Sequence, residues 1–403
     1  MRERRVAPPE TDAGLGVAPL YFQPLRWLSI LSVIAYYHIA YRIRGWGTLP
    51  IRRGPMLLIA NHQHEIESAV LISDLTVRSF SWRYPIFTVS SRRMWEPGFF
   101  AERIPWLSLP LRPFNFGWLF SALGLQPIEN ELTVRPFVSV AYALDARHPD
   151  LPVESVFNGS ARERLPRSVR RLDDLLYGKN FMAGRSRVKL TEVLEPYRKE
   201  LLELTRRQVD ADLAHFETLE RSGATVFLAP EGDYSGDGKM QRLRGALSRL
   251  APLGEIWLAG ISYDPLVGKR LSMLYHVVPS VPHMALDLQL KRVRPVTTSA
   301  LLGAWIHAGG ITQFTKRDAQ LALETALRDL PTVLFVDPEL ERKPQTMLER
   351  ALAGIERLGI ARNDGGIFKL AEARQHPQFP RTNDIVEYLF NFHQETLEGA
   401  RAA

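Results

Sequence analysis

Residues 56–68 read MLLIANHQHEIES, an apolar run that passes directly into a polar one. The five apolar residues Met56–Ala60 follow a Gly-Pro turn and predict a short buried strand. Asn61 belongs to the residue types that cap the first turn of a helix, so the sequence predicts a helix over 61–77. A strand followed at once by a helix is the repeating unit of α/β proteins.

The polar part of this stretch offers three histidine–glutamate pairings. His62 and Glu67 are five residues apart, or about 140° around an ideal helix, so they meet only if His62 precedes the helix. The pairs His62–Glu65 and His64–Glu67, each three residues apart, stay open, as does a solvated helix start without catalytic chemistry. In any such pair the carboxylate fixes the imidazole tautomer and leaves the second ring nitrogen as a base. Ser68 excludes the HExxH zinc-protease motif.

The same alternation of strands and helices continues along the chain. The runs 224–229 and 255–262 are the clearest strands, and they flank a glycine-rich turn and a predicted helix over 240–252. This order predicts an α/β fold with a mixed central sheet flanked by helices. Further strands are predicted at 86–90, 125–128 and 271–278, and helices at 22–44, 114–123, 164–178, 190–222, 316–329, 345–358 and 382–399.

A second motif follows the strand at 224–229, where residues 226–239 read VFLAPEGDYSGDGK. The glycine spacing is not that of a P-loop, because Asp233 stands where the first glycine would be. It is not that of an EF-hand either, because Arg244 stands where the final glutamate would be. Taken alone, the segment is typical of an ordinary strand-to-helix turn.

Together, the two motifs resemble those of the glycerolipid acyltransferase superfamily, of the 1-acylglycerol-3-phosphate acyltransferase (PlsC-like) type. The pattern NHxxxxE at 61–67 is similar to the family's NHxxxxD, and PEGxxS at 230–235 to its FPEGTRS. Two further blocks resemble the family in order: FGWLFSALGLQPIEN at 116–130 and ISYDP at 261–265. The resemblance covers roughly residues 25–280.

The resemblance implies an acyltransferase of phospholipid biosynthesis that needs no cofactor. His62 would be the general base and Glu67 the group that orients it. The acyl donor would be acyl-CoA or acyl-carrier protein, and the acceptor a hydroxyl of a glycerolipid or related lipid. The residues expected by resemblance to bind substrate are Asn130, Glu231, Gly232, Asp233, Ser235 and Arg244.

Four residues depart from the family pattern. Glu67 replaces the usual aspartate, which keeps the charge and adds one methylene. Asn130 stands where the family has a phosphate-binding arginine, and Asp233-Tyr234 stands where it has Thr-Arg. A phosphate held by two fewer cations loses charge-assisted bonds of roughly 1.5–3 kcal/mol each. The acceptor is therefore expected to include non-phosphate lipids, and a catalytically weak lipid-binding protein on the same fold is the alternative.

Composition and charge narrow the class of partner. The chain has 403 residues, a net charge of +7 and no cysteine, which excludes thiol nucleophiles, Cys-ligated zinc and iron–sulfur clusters. Residues 1–53 hold eight arginines against three acidic residues. Because no RNP, helix-turn-helix or zinc-finger pattern is present, an anionic membrane surface is favoured over nucleic acid.

The predicted N-terminal helix contains fifteen residues, 27–41, without a formally charged side chain. At about 1.5 Å per residue this stretch is shorter than a bilayer core of about 30 Å, so it is expected to lie in the membrane interface. A buried helix that packs on the domain is the alternative. The expected protein is peripheral, on the cytoplasmic face of a membrane.

Four regions are predicted along the chain. They are a flexible tail (1–21), the N-terminal interfacial helix (22–50), an acyltransferase α/β domain (51–285) with a helical insert (131–223), and a helix-rich C-terminal extension (286–403).

Overall fold

The computed structural model describes residues 23–50, 54–64, 67–79, 86–96, 98–99, 111, 114–122, 124–129, 133–145, 147–176, 180–232 and 234–403. The predicted tail 1–21, Asn130 and Asp233 lie outside the described residues. The chain divides into two compact units. The larger unit comprises Pro24–Ile86 and Leu219–Ala403, and the smaller unit comprises Phe87–Thr218 with Met1–Gln23.

The strands are β1 (Arg42–Trp46), β2 (Met56–Ala60), β3 (Ile86–Ser91), β4 (Leu125–Ile128), β5 (Val134–Pro136), β6 (Arg187–Lys189), β7 (Thr225–Leu228), β8 (Glu255–Asp264), β9 (Ser272–Pro279), β10 (Gln313–Thr315), β11 (Ala361–Asp364) and β12 (Ile367–Leu370). The α-helices are α1 (Gln23–Ala40), α2 (Glu67–Arg78), α3 (Gly117–Ala122), α4 (Phe137–Asp145), α5 (Val153–Val156), α6 (Gly159–Glu163), α7 (Phe181–Gly184), α8 (Tyr197–Arg221), α9 (Ala246–Leu250), α10 (Leu286–Arg292), α11 (Thr298–Ala308), α12 (Lys316–Asp329), α13 (Pro338–Arg342), α14 (Pro344–Arg357) and α15 (Ile385–Arg401).

The larger unit is built on a sheet in which β1, β9, β8, β2 and β7 lie side by side in that order. Only β8 and β9 pair antiparallel; the other pairs are parallel. Strand β2 lies inside this sheet and is almost fully buried, as expected of an apolar run flanked by strands on both sides. The sheet is mixed, mostly parallel and flanked by helices, which confirms the predicted α/β class.

The C-terminal part of the larger unit contains more than helices. The predicted helices at 316–329, 345–358 and 382–399 are confirmed as α12, α14 and α15, but α10, α11 and the three-stranded sheet β10-β12-β11 were not predicted. Helices α11 and α15 pack closely because Gly303 lacks a side chain: a Cβ there would lie 2.5 Å from the Cβ of Leu389. This packing places α15 in the core of the unit.

The smaller unit has a parallel pair, β3 with β4, an antiparallel pair, β5 with β6, and its own hydrophobic core. The predicted helix at 164–178 is wrong. Pro166 cannot continue a helix, and the backbone N–H groups of Arg170 and Arg171 donate to the side chain of Asp174 instead of to a helical carbonyl. The helix predicted at 190–222 is confirmed as α8, which begins later because Pro196 precedes it.

Helix α1 carries an exposed apolar face. Leu28 is 63% exposed and Ile39 is 75% exposed, and helical spacing puts them on one side of α1 with Leu31 and Tyr36. Among the described residues, no helix is both long and apolar enough to cross a bilayer.

The arginines that flank α1 do not line this exposed face. Arg26 is buried at the start of the helix. Just past its end, Arg44 binds both carboxylate oxygens of Asp337 at 2.7 Å, and Arg42 binds Glu339 at 2.8 Å. Arg42 and Arg44 therefore join β1 to the start of α13. An exposed cation beside α1 comes from the turn between β8 and β9, where Arg270 donates to the carbonyl oxygen of His38 at 2.9 Å.

A buried carboxyl group at the end of α8 predicts a pH-dependent stability. Glu220 is fully buried against Gly254, and neither of its oxygens has a hydrogen-bond partner among the described residues. Burial raises the pKa of Glu220 to about 7 from 4.5. The unfolded chain therefore ionises first as the pH rises, and stability that is present below pH 4.5 is lost by about pH 7.

We expect Glu220→Gln to remove this loss. Its free energy of unfolding should match the wild-type value near pH 4.5 and exceed it by up to about 3 kcal/mol at pH 8. Urea denaturation at both pH values measures the difference. Glu203→Gln, on the exposed face of the same helix, is the matched control and should leave the pH profile unchanged. Equal stabilities of wild type and Glu220→Gln at pH 8 would contradict the assignment.

Candidate functional site

The candidate site lies where two neighbouring parallel strands end. Strands β2 and β7 pair in register, with Ile59 opposite Leu228. His62 follows the end of β2 and Glu231 follows the end of β7, so both side chains lie at the same edge of the sheet. The carboxyl edge of a parallel sheet is where α/β proteins commonly bind ligands. The two sequence motifs therefore meet in space, although they are 169 residues apart.

Asn61 does not cap a helix. Its side-chain amide donates to the carbonyl oxygen of Ile261 at 3.0 Å, and its carbonyl oxygen accepts from the Ile261 N–H at 2.7 Å. This pair of bonds fixes the end of β2 to β8. Residues 61–64 are not helical and helix α2 is described from Glu67, so the prediction that the helix starts at Asn61 is wrong. The correction matters for the site, because His62 precedes the helix and keeps the backbone freedom that the pairing with Glu67 requires.

His62 and Glu67 form the pair predicted for an imidazole placed before the helix. Nδ1 of His62 lies 2.7 Å from Oε2 of Glu67. The carboxylate also accepts the backbone N–H of Gln63, with both oxygens at 2.9 Å. It stands in the first turn of α2, where the helix dipole favours a negative charge. An ionised Glu67 requires the proton on Nδ1, which leaves Nε2 of His62 as a proton acceptor. The structure thus contains the pairing His62–Glu67, whereas Glu65 of the alternative pairing lies outside the described residues.

Glu231 ties the two motifs together through the backbone. Its Oε1 accepts the N–H of His62 at 2.7 Å, and its Oε2 accepts the N–H of Gln241 at 2.7 Å. The neighbouring N–H of Met240 donates to the side chain of Glu395 at 2.9 Å. Backbone donors at 240 and 241 are therefore used by carboxylates, and the helix predicted over 240–252 is reduced to α9. Glu231 acts on the position of His62 and has no direct bond to its ring.

The surroundings of Glu231 shift the pKa of its carboxyl group in two opposite directions. Burial raises the pKa of its carboxyl group to about 7, and the nearby charge of Glu67 adds to the rise. The two backbone N–H bonds and the positive charge of Arg294 favour the ionised form and limit the increase. At neutral pH this carboxyl is therefore close to its midpoint.

Gly232 and Arg244 pack against each other at the second motif. Gly232 has a φ of +72°, a conformation that glycine adopts without strain, and the guanidinium of Arg244 lies directly against it. Nε of Arg244 donates to the carbonyl oxygen of Glu231 at 3.0 Å. The hydroxyl of Ser235 donates to the carbonyl oxygen of Lys239 at 2.7 Å. Of the expected substrate-binding residues, Asn130 and Asp233 lie outside the described part of the chain.

A small depression opens beside His62, and it is too narrow to admit a water molecule. Gly238 packs against the backbone of Tyr388, and the amide of Asn391 donates to the carbonyl oxygen of Asp237 at 2.9 Å. Helix α15 thereby contributes to the wall of the depression. The residues that line it are His62, Gln63, Glu231, Ser235, Gly238, Lys239, Met240, Arg294 and Tyr388.

Arg294 and Tyr388 are the lining residues that the sequence did not indicate. Both belong to the C-terminal part of the larger unit and carry no motif of their own. Arg294 is 1% exposed and Tyr388 is 3% exposed. Tyr388 lies in a run of apolar residues and Arg294 lies in the basic stretch 291–294, and neither setting distinguishes a site residue from an ordinary one.

No protein-family model and no curated protein matches this chain.

Proposed function

We propose that this protein is an acyltransferase that moves a fatty acyl group from an acyl thioester to a lipid hydroxyl. The observation that carries the proposal is the 2.7 Å bond between Nδ1 of His62 and Glu67. It orients the imidazole and fixes the tautomer in which the other ring nitrogen is the one that accepts a proton. The bond between Glu231 and the His62 N–H supports the same proposal, because it joins the two motifs that resemble those of glycerolipid acyltransferases.

The proposed reaction is a direct transfer. Nε2 of His62 takes the proton of the acceptor hydroxyl, and the alkoxide attacks the thioester carbonyl carbon. The new ester bond forms, the carbon–sulfur bond breaks, and the leaving thiolate takes the proton back from the imidazolium. Glu67 stabilises the imidazolium between these steps. The step requires no enzyme thiol, in keeping with a chain that has no cysteine.

The proposed partners are acyl-CoA or acyl-carrier protein as donor, a lipid acceptor and a membrane surface on the cytoplasmic side. The exposed apolar face of α1, with the cation Arg270 beside it, supports the proposal that the protein binds a membrane surface. In the smaller unit, Phe114 and Trp118 are more than half exposed and are further candidates for contact with lipid.

The test is an acyl-transfer assay with purified protein. Radiolabelled acyl-CoA and acyl-carrier protein are each offered with a panel of hydroxyl-bearing lipids, and the labelled products are separated by chromatography. A labelled ester is the expected product. Binding to vesicles without turnover of any donor would instead favour the lipid-binding alternative.

Membrane attachment through α1 makes a separate prediction. We expect Leu28→Asp/Ile39→Asp to weaken flotation with anionic vesicles by about 100-fold or more, because burying each side chain contributes about 1.5–3 kcal/mol. The matched control is Leu321→Asp/Val333→Asp, which changes two other exposed apolar side chains. Equal flotation of the two double variants would remove α1 as the attachment site.

A further inference from the structure

The loop that follows the second motif, residues 234–241, is bound by side chains from the C-terminal end of the chain. Each of its residues is described and none belongs to a helix or a strand, so its backbone groups find their partners outside regular structure. Three side chains of the C-terminal segment 381–395 bind this backbone at separate points. They are Arg381, which donates to the carbonyl oxygen of Tyr234 at 3.1 Å, Asn391, which donates to that of Asp237 at 2.9 Å, and Glu395, which accepts the N–H of Met240 at 2.9 Å. The position of the loop therefore depends on residues that are 147 to 155 positions away in sequence.

Two glycines of the loop allow its backbone to lie directly against the C-terminal segment. A Cβ at Gly236 would lie 2.0 Å from the carbonyl oxygen of Arg381, and one at Gly238 would lie 2.1 Å from that of Tyr388. Because the obstructing atoms belong to the backbone, no side-chain rotation could make room for a methyl group. The loop and the segment are thus in close backbone contact between the points where side chains join them.

Both ends of the loop contact groups that position His62. At one end, the ring of Tyr234 lies edge-on to the imidazole of His62, with centroids 5.4 Å apart. At the other end, the N–H of Gln241 donates to Oε2 of Glu231 at 2.7 Å, and Oε1 of the same carboxylate accepts the N–H of His62 at 2.7 Å. A shift of the loop would therefore disturb both the ring and the backbone of His62.

Arg381 connects the C-terminal segment to the ring that contacts His62. Its guanidinium carbon lies 4.0 Å from the centroid of the Tyr234 ring, which is a cation–π contact. The same guanidinium donates to the carbonyl oxygen of Tyr234. One side chain therefore holds both the ring and the backbone of Tyr234. Arg381 is exposed, so replacing it leaves no buried charge behind.

Glu395 is itself fixed where it binds the other end of the loop. Nη1 of Arg294 donates to its Oε2 at 3.1 Å, and Nζ of Lys291 lies 3.6 Å from its Oε1. Helix α15, which carries Glu395, packs in the hydrophobic core of the larger unit through Tyr388 and Leu389. The segment is therefore a fixed support for the loop.

We propose that the C-terminal segment 381–395 positions His62, with Arg381 as the main positioning residue, by holding the loop 234–241 against the imidazole. This inference rests on the proposed acyl transfer for the rates that it predicts. It assigns a role to the C-terminal part of the larger unit, where the sequence indicated only helices. A purely structural role for the same contacts would affect stability alone.

Three variants of the full-length protein test these contacts in different ways. Arg381→Gln removes the guanidinium from the ring of Tyr234, and Arg381→Lys restores a cation and a donor. Gly236→Ala removes no polar group and places one methyl group against the backbone of the C-terminal segment. The matched controls are Arg342→Gln, which changes an exposed arginine bound to a backbone carbonyl in the same unit, and Gly159→Ala, at a place where a Cβ meets nothing within 4 Å.

Magnetic resonance spectra of protein with isotope-labelled histidine report on His62 without any turnover. The ring-proton shifts of His62 depend on the neighbouring ring of Tyr234, and His62→Ala identifies the signals. We expect Arg381→Gln and Gly236→Ala to shift these signals, and Arg381→Lys and both controls to leave them close to the wild-type positions. Unchanged His62 signals in Arg381→Gln and Gly236→Ala would overturn the proposal, whether or not the melting temperature falls.

Acyl transfer measures the consequence for the reaction. Arg381→Gln and Gly236→Ala should lower kcat about 10- to 100-fold with little change in the KM for acyl-CoA, because small displacements of a catalytic group have effects of this size. Arg381→Lys should recover most of the loss. A rise in kcat would mean that the contacts hold the site closed, and it would overturn the positioning role.

The two measurements distinguish this inference from the function on which it rests. If no donor is turned over and the His62 signals still shift in Arg381→Gln and Gly236→Ala, acyl transfer is wrong and the positioning of His62 stands. If His62→Ala abolishes acyl transfer and neither Arg381→Gln nor Gly236→Ala changes kcat, the positioning role is wrong and the acyltransferase stands.

Discussion

Replacing His62 with alanine is expected to lower the rate of acyl transfer about 10²–10⁴-fold, the usual contribution of a general base. The ring is held by Glu67 on one side and lies edge-on to the ring of Tyr234, with centroids 5.4 Å apart. No other imidazole lines the depression in the part of the chain that the structure describes. The loss should therefore appear in kcat for every donor and acceptor, with little change in the affinity for acyl-CoA.

His64→Ala is the matched control, because it removes a neighbouring imidazole. His64 binds the carbonyl oxygen of Gln378 at 3.0 Å and contacts the ring of Tyr263, and it does not line the depression. We expect this variant to lose some stability and to retain most of its activity per folded molecule. Thermal denaturation of both variants shows how much of each effect is due to unfolding. Full activity of His62→Ala would remove the assigned base.

The buried strand could be predicted from the sequence because it depends on local spacing, whereas spacing alone left the pairing of His62 with Glu67 open among three. The five apolar residues of β2 required a strand buried on both faces. The 140° that separates residues five apart on a helix gave only a condition, namely that His62 precedes the helix if it pairs with Glu67. The start of α2 could not be predicted, since Asn61 was used to bind Ile261, which lies 200 residues away.

The loop after β7 was misread for the same physical reason. The sequence over 240–252 has the composition of a helix, but the N–H groups of Gln241 and Met240 are bound by the carboxylates of Glu231 and Glu395. A helix start requires donors that are free or capped locally. Side chains from distant parts of the chain decide the backbone here, and no local pattern reports them. Arg294 and Tyr388 escaped prediction in the same way, because only tertiary packing brings them to His62.

The positive charge of the chain has a different distribution from the one that the sequence indicated. Arg42 and Arg44 lie next to the apolar helix in sequence, which favoured contact with lipid headgroups. In the structure their guanidinium groups bind Glu339 and Asp337. Pairing of this kind is a long-range property, and net charge alone does not reveal it. The proposed attachment of α1 to an anionic surface would therefore depend more on its apolar face than on its flanking arginines.

Glu67→Gln is expected to lower acyl transfer about 10²–10⁴-fold, although it changes neither the size nor the shape of the side chain. The carboxylate of Glu67 accepts hydrogen bonds from the protonated Nδ1 of His62 and from the backbone N–H of Gln63. A glutamine at this place can satisfy the Gln63 N–H only with its oxygen, which turns its amide N–H toward Nδ1. That arrangement moves the ring proton to Nε2, the nitrogen that must accept the proton of the acceptor hydroxyl.

Glu67→Asp tests the length of this side chain separately from its charge. The carboxylate is kept but is shorter by one methylene, and it must span five residues from the first turn of α2 back to His62. We expect an activity between those of the wild type and Glu67→Gln, since aspartate keeps the negative charge and cannot hold both His62 and Gln63 at their present distances. A pH–rate profile measures the two effects. The rate of acyl transfer by Glu67→Asp should still depend on the deprotonation of a catalytic base, and that dependence should be lost in Glu67→Gln. If both variants were as active as the wild type, Glu67 would have no part in orienting the base.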